Sequence, residues 1–215
     1  MLLDPGLTAA YIVLAAALAF SPGPDVMFVV ANGMRHKAKG AIASALGIGA
    51  GSLFHAILAA IGVSAVIAAS PVAFQVMKIA GALYLAWLGI QALKSFMKNS
   101  GAVKMDQKVQ EVSAWKVFLR GLMTNILNPK VIVFYLALLP QFVSVELGHV
   151  GLQVFLLGCI HNIIGLSFLI VVGLAAGKAS GWIARTSVGR WLDGIAGLFF
   201  LGLAARLALT GRADS

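Results

Sequence analysis

The sequence predicts an all-α, polytopic membrane protein with six transmembrane helices, arranged as an inverted 3+3 repeat with both termini outside. Three observations carry that reading: an excess of apolar residues, long runs without charge, and positive charge gathered into alternate loops. Of 215 residues 60% are hydrophobic, the 24 glycines raise the apolar share to about 70%, and charged residues make up 11%. Ordinary globular proteins hold about 45–50% apolar and about 25% charged residues. Too little polar surface is left to coat a soluble globule.

The elements follow from the uncharged runs. No Asp, Glu, Lys or Arg occurs in residues 5–24, nor in the thirty-eight residues 40–77. A helix of about 20 residues crosses a hydrocarbon core of about 30 Å, so the second run is two spans. They divide at Ala69-Ser70-Pro71, because proline suits the first turn of a helix and disfavours a helical residue before it. The same reasoning along the chain gives spans at 6–32, 40–66, 71–93, 116–139, 149–175 and 190–209. Met1-Leu2-Leu3-Asp4 has no positive charge ahead of a first apolar stretch too long for a signal peptide, which reads as a span.

Orientation comes from the sixteen Lys and Arg, since short cytoplasmic loops collect cations. Arg35, Lys37 and Lys39 follow span one. Lys94, Lys98, Lys104 and Lys108, with Lys116 and Arg120, surround the segment after span three, and Lys178, Arg185 and Arg190 follow span five. The N-terminus and the loops after spans two and four hold none, while Arg206 and Arg212 run against the pattern. The chain therefore divides into a first three-helix half, 1–97, a polar cytoplasmic linker, 98–115, and a second three-helix half, 116–215.

The halves resemble each other. Pro24-Asp25-Val26-Met27-Phe28 matches Pro129-Lys130-Val131-Ile132-Val133 at an offset of 105 residues, and His55 and His161 lie 106 apart. Gly81 and Gly89 are spaced as Gly194 and Gly202 are. Two units of three spans enter the membrane from opposite sides, because three is odd. Secondary transporters built this way place substrate near the midplane, on interrupted helices.

The candidate residues lie at such interruptions. Ser21-Pro22-Gly23-Pro24-Asp25 removes helical hydrogen bonds that lipid cannot replace, so the break must line protein or water. A helix restarting near Pro24 would turn free N–H groups and its positive dipole end toward an anionic group; a plain proline kink is the other reading. Asn125, Asn128, Pro129 and Lys130 repeat the device in span four with the opposite charge. An ionisable group at the centre of a span costs about 2.5–3.5 kcal/mol on insertion scales. Asp25 and Lys130 each need a partner, and the simplest for each is the other, either as a gate or zwitterion site or as a static ion pair.

Gly47, Gly51 and His55 share one helix face, with Gly40 and Ser44 continuing it. Small residues so spaced let helices approach closely, within a chain or between protomers of a homo-oligomer. His55 and the pair His161-Asn162 sit at membrane depth, where a histidine either relays protons or hydrogen-bonds across helices. Lys78 and Asp193 lie near enough to an interface to snorkel.

Several function classes fall away. The positive charge is scattered in short clusters between apolar runs, unlike a nucleic-acid-binding face. A single cysteine, Cys159, excludes an internal disulfide framework, a cysteine-based zinc site and dithiol chemistry. No metal-ligand cluster, cofactor motif or nucleophile with a base at helical spacing is visible, so the chain does not read as an enzyme.

Taken together, Ser21-Pro22-Gly23-Pro24-Asp25, Gly51-x-x-x-His55, Lys78-x-x-Gly81-Ala82-Leu83-Tyr84-Leu85-x-x-Leu88-Gly89, and Phe118-x-x-Gly121-x-x-x-Asn125-x-x-Asn128-Pro129-Lys130 running to Pro140-Gln141-Phe142 resemble the lysine exporter superfamily. The RhtB-type branch, named for homoserine and threonine export, is the nearest in pattern. The resemblance implies efflux of amino acids or close derivatives across the bacterial inner membrane, with protons as coupling ion and the lipid bilayer as surroundings. It maps the family's proline-bearing motifs onto Pro22, Gly23, Pro24 and Asp25 and onto Asn128, Pro129 and Lys130. The exported amino acid does not follow from it. A non-transporting membrane subunit, or an exporter of another small solute or ion, stands as the alternative.

Overall fold

The computed structural model describes residues 2–21, 23–70 and 113–178, together with scattered residues between 72 and 97 and between 198 and 202. Every regular element among them is helical. Helix α1 spans Pro5–Phe20, α2 spans Pro24–Ala69, α3 spans Ala114–Ile126, α4 spans Pro129–Val133, and α5 spans Val150–Lys178. A π-helical turn, Phe134–Leu138, and a 3-10 turn, Leu139–Phe142, continue α4. Pro22, Lys78, Asp193, most of the linker and nearly all of the predicted sixth span lie outside the described residues, as does much of the third.

Local chemistry fixes the helix ends. Asp4 caps α1 by accepting a hydrogen bond from the Leu7 amide at 2.8 Å, and Pro5 occupies the first helical position, both favourable at a helix start. Ser21, at its other end, is extended, as expected of a residue before proline.

Helix α2 is a hairpin. Lys37 breaks it with φ 53° and ψ −144°, within the expected loop. A Cβ on Gly40 would collide with the Asn32 carbonyl oxygen and sit 2.6 Å from the His36 Cβ, whereas residues eight apart in a straight helix are about 12 Å apart. The chain thus folds back into two legs, 24–36 and 38–69, and the second ends one residue before Ser70-Pro71.

Small residues draw these legs onto their neighbours. A Cβ on Gly47 would strike the Phe118 main chain of α3, one on Gly121 would meet the Ser44 carbonyl oxygen at 2.7 Å, and one on Gly51 would meet the Asn125 side chain at 2.8 Å. The stripe Gly40–Gly47–Gly51 therefore joins helices within the chain. On the other side Gly173 of α5 fits between Val29 and Ala41, with its own carbonyl against Gly33.

Two stretches among the described residues are long and apolar enough to cross a membrane by length and composition, Pro24–Val63, which the turn at Lys37 divides, and Val150–Lys178. Helix α3 and the Pro129–Phe142 stretch, bent by 52° at their junction, make a third if taken as one span; Pro5–Phe20 is apolar but shorter. Packing forms two apolar clusters. The major one gathers Tyr11, Leu14 and Leu18 with Ala56, Ala59, Val63, Phe134, Tyr135, Leu138, Val154 and Leu157 among others, and the minor one gathers Val29, Ala45, Ile48 and Leu169.

Candidate functional site

Both breaks are built alike. Helix α1 stops at Phe20 and α2 restarts with Pro24 and Asp25; α3 stops at Ile126 and α4 restarts with Pro129 and Lys130. Asn128 caps the second restart, its Oδ1 accepting from the Lys130 amide at 3.1 Å. In each case proline takes the first helical position, where its missing N–H costs nothing, and a charged residue takes the second.

Each of these charges reaches the opposite break. The Lys130 ammonium donates to the carbonyl oxygens of Leu18 and Ser21, both at 3.1 Å. Those carbonyls belong to the last turn of α1 and its cap, which lack helical partners and carry the negative end of the helix dipole. Asp25, at the positive end of α2, accepts a hydrogen bond at its Oδ2 from the Asn125 side-chain amide at 2.7 Å, with the Asn128 amide also nearby. The sequence suggests that the two charges hold each other; the Lys130 charge acts on Asp25, and each charge also bonds to uncharged groups of the facing break. Asp25 Oδ1 and Asn125 Oδ1 are buried without a hydrogen-bond partner among the described residues.

Between the breaks lies a cavity of about 60 Å³, room for a few waters. Gly23, Asp25, Asn125, Asn128, Lys130, His161 and Asn162 line it, joined by Ser21 and Ser52. Leu18, Val26, Ile48, Val131, Leu166 and Leu169 supply an apolar part of the wall. Pro24 and Pro129 set the helix starts behind the wall, and Pro22 is outside the described residues.

The two histidines are placed differently. His161 is on the wall, its ring 4.4 Å from that of Phe134, and its Nδ1 has no hydrogen-bond partner among the described residues. His55 stands behind the wall, its Nε2 3.4 Å from the Asn125 carbonyl oxygen and its ring stacked on Tyr135 at 5.8 Å. Tyr135 also meets His161 edge-on at 5.8 Å, and its hydroxyl lies 2.8 Å from Ser52 Oγ. The π-helical turn carries Phe134 and Tyr135 between the histidines. Such turns recur at functional sites, and neither Tyr135 nor Ser52 was among the residues singled out by the sequence. A tyrosine in an apolar run and a serine beside the glycine stripe were the signals available. Among the described residues no group of His, Cys, Asp or Glu is placed to hold a metal ion.

Apolar helices broken in pairs around a cavity that carries both charges are an arrangement found in secondary transporters. The family model described as LysE type translocator matches residues 16–211, and the chain belongs to that family. It is 32% identical over 201 residues to a leucine efflux protein of Salmonella choleraesuis (strain SC-B67), covering 92% of both chains. It is 30% identical over 199 residues to a homoserine/homoserine lactone efflux protein of Salmonella typhimurium (strain LT2), covering 93% of this chain and 94% of that one. No solved structure matches it.

Proposed function

We propose that the protein exports amino acids from the bacterial cytoplasm across the inner membrane by alternating access, with protons as the coupling ion. The observation that carries this is the placement of Asp25 and Lys130 on one small cavity, each held by the break that faces it. A zwitterion needs one negative and one positive group within reach of its two ends. Here Asp25 keeps one buried oxygen unpartnered among the described residues, free to accept from a substrate ammonium. Lys130 and the amides of Asn125, Asn128 and Asn162 supply donors for its carboxylate. The efflux relatives support the same reading through their names.

The proposed architecture is six spans in two inverted halves with the termini outside. In its favour, the offset that pairs Pro24 with Pro129 also pairs Asp25 with Lys130, and the contacts cross reciprocally between the two breaks. The hairpin bearing Arg35, Lys37 and Lys39 is then cytoplasmic. Asp25, His55 and His161 are the candidates for proton movement.

The test is efflux from cells that overproduce the protein and are loaded with a panel of dipeptides, following each amino acid outside. One or a few should appear faster than in control cells, with an uncoupler abolishing the gain. Asp25→Asn and Lys130→Ala, present in the membrane at wild-type level, should each slow export at least about tenfold, as expected for loss of a buried charged contact worth upward of about 1.4 kcal/mol. Wild-type export by Asp25→Asn with an unchanged pH profile removes the central role given to the carboxylate.

A further inference from the structure

We propose that Gly165 sets the size of the side chain this cavity accepts, and that the class accepted is amino acids with an uncharged, aliphatic side chain. The proposal rests on the exporter reading above. It starts from one face of α5. His161, Asn162, Gly165, Leu166 and Leu169 all line the cavity, and their steps of one and three residues keep them on one side of the helix. Polar groups occupy the first turn of that face and leucines the last, with the glycine between them.

Among the described residues, helix packing does not account for Gly165. A Cβ on Gly158 would meet Ala56 at 2.6 Å, and one on Gly173 would meet Val29 at 2.6 Å, so those glycines make room for a neighbouring helix. A Cβ on Gly165 meets no described atom within 4 Å. A glycine inside a helix costs about 0.5–1 kcal/mol relative to alanine, so here that cost brings space in the cavity in place of contact.

The space opens onto an apolar surface. Val26 and Ile48 line the same cavity as Leu166 and Leu169, and all four belong to the minor cluster or pack against it. With ammonium and carboxylate held by Asp25, Lys130 and the asparagines, the remaining part of a bound amino acid runs along Gly165 toward the leucines. A charged side chain would be left there without a partner, at a cost far above that of burying a hydrocarbon. In a hydrophobic pocket one methylene changes discrimination about 10- to 200-fold.

Efflux of leucine, alanine, phenylalanine and lysine is measured for the wild type, Gly165→Ala and Leu166→Ala, each at matched membrane level. The wild type should export leucine and not lysine. Gly165→Ala should lower the ratio of leucine to alanine export about tenfold, and Leu166→Ala, which enlarges the wall, should raise the share of phenylalanine. A wild type that exports leucine while both variants keep its ranking overturns the subsite and leaves the exporter reading intact. Uniform loss of all efflux in both variants overturns it equally, since that is damage and not selection. A wild type that exports lysine as well as leucine overturns the class, and one that exports no amino acid removes the exporter reading and the subsite together.

Discussion

On the α1 side of the cavity sixteen buried residues interlock, among them Tyr11, Leu14, Phe134, Leu138 and Leu157; on the side of the Lys37 hairpin four do, Val29, Ala45, Ile48 and Leu169, counted among the described residues. The order along three elements puts the cavity between them. In the first span Leu18 of the major cluster precedes the break and Val29 of the minor one follows it. In the second leg of α2, Ile48 comes before the cavity residue Ser52 and Ala56 after it. In α5, Leu157 precedes His161 and Leu169 follows. Side-chain packing, not a hydrophobic drive, holds membrane helices together, so the number of interlocked side chains bears on what it costs to part them. The side with fewer interlocked side chains among the described residues is expected to open at lower cost. In the proposed orientation that side is cytoplasmic, where an exporter loads.

The sharpest way to break this comparison is to make the same change on both sides. Leu138→Ala and Leu169→Ala both delete a buried leucine, which costs about 2–5 kcal/mol depending on how far the site collapses. Leu138 is wholly buried in the thick cluster, while Leu169 is 6% exposed and borders the cavity. Loss near the top of that range is expected for Leu138→Ala and near the bottom for Leu169→Ala, read from unfolding midpoints in one detergent. Equal losses would mean that the clusters do not differ in strength.

A smaller effect should appear in access. With Cys159 replaced by serine, a cysteine at Ile48 should react with a membrane-impermeant maleimide from the cytoplasmic face at least about tenfold faster than one at Ala59, the ratio given by an opening cost lower by about 1.4 kcal/mol. Similar rates would remove the thin gate, and faster labelling of Ile48 from the outer face would invert the proposed orientation.

These regions were unevenly legible in the sequence. Proline marks a helix start by its own covalent geometry, so Pro24 and Pro129 could be read directly, as could the end of α2 before Pro71. The turn at Lys37 lay in a loop marked by its charges, and the face from Gly40 to His55 was visible as periodicity. What Asp25 and Lys130 touch was not legible. Spacing along a chain fixes a face, not the atoms across from it, so the carbonyls of Leu18 and Ser21 and the Asn125 amide could not be read from it. The same gap hid the different depths of His55 and His161. The π-helical turn at Phe134–Leu138 has no local sequence signal, and Tyr135, which it places between the histidines, went unnoticed with it. Gly165 looked like any other small residue of a membrane helix until the neighbours of each glycine were known.

The smallest predicted effect concerns a neutral side-chain hydrogen bond that ties the thick cluster to the cavity wall, between Ser52 Oγ and the Tyr135 hydroxyl at 2.8 Å. Ser52 lines the cavity and Tyr135 belongs to the major cluster. A neutral hydrogen bond nets about 0.5–1.5 kcal/mol, so Ser52→Ala and Tyr135→Phe should each cost about 1 kcal/mol in unfolding. The double variant should cost less than the sum, because the second change removes a partner already lost. If the link only braces the thick cluster, efflux will follow stability in all three variants. If efflux falls several-fold while unfolding moves by about 1 kcal/mol, the thick side takes part in the transport cycle as well, and the difference between the clusters becomes one of order of opening instead of one of moving and fixed walls.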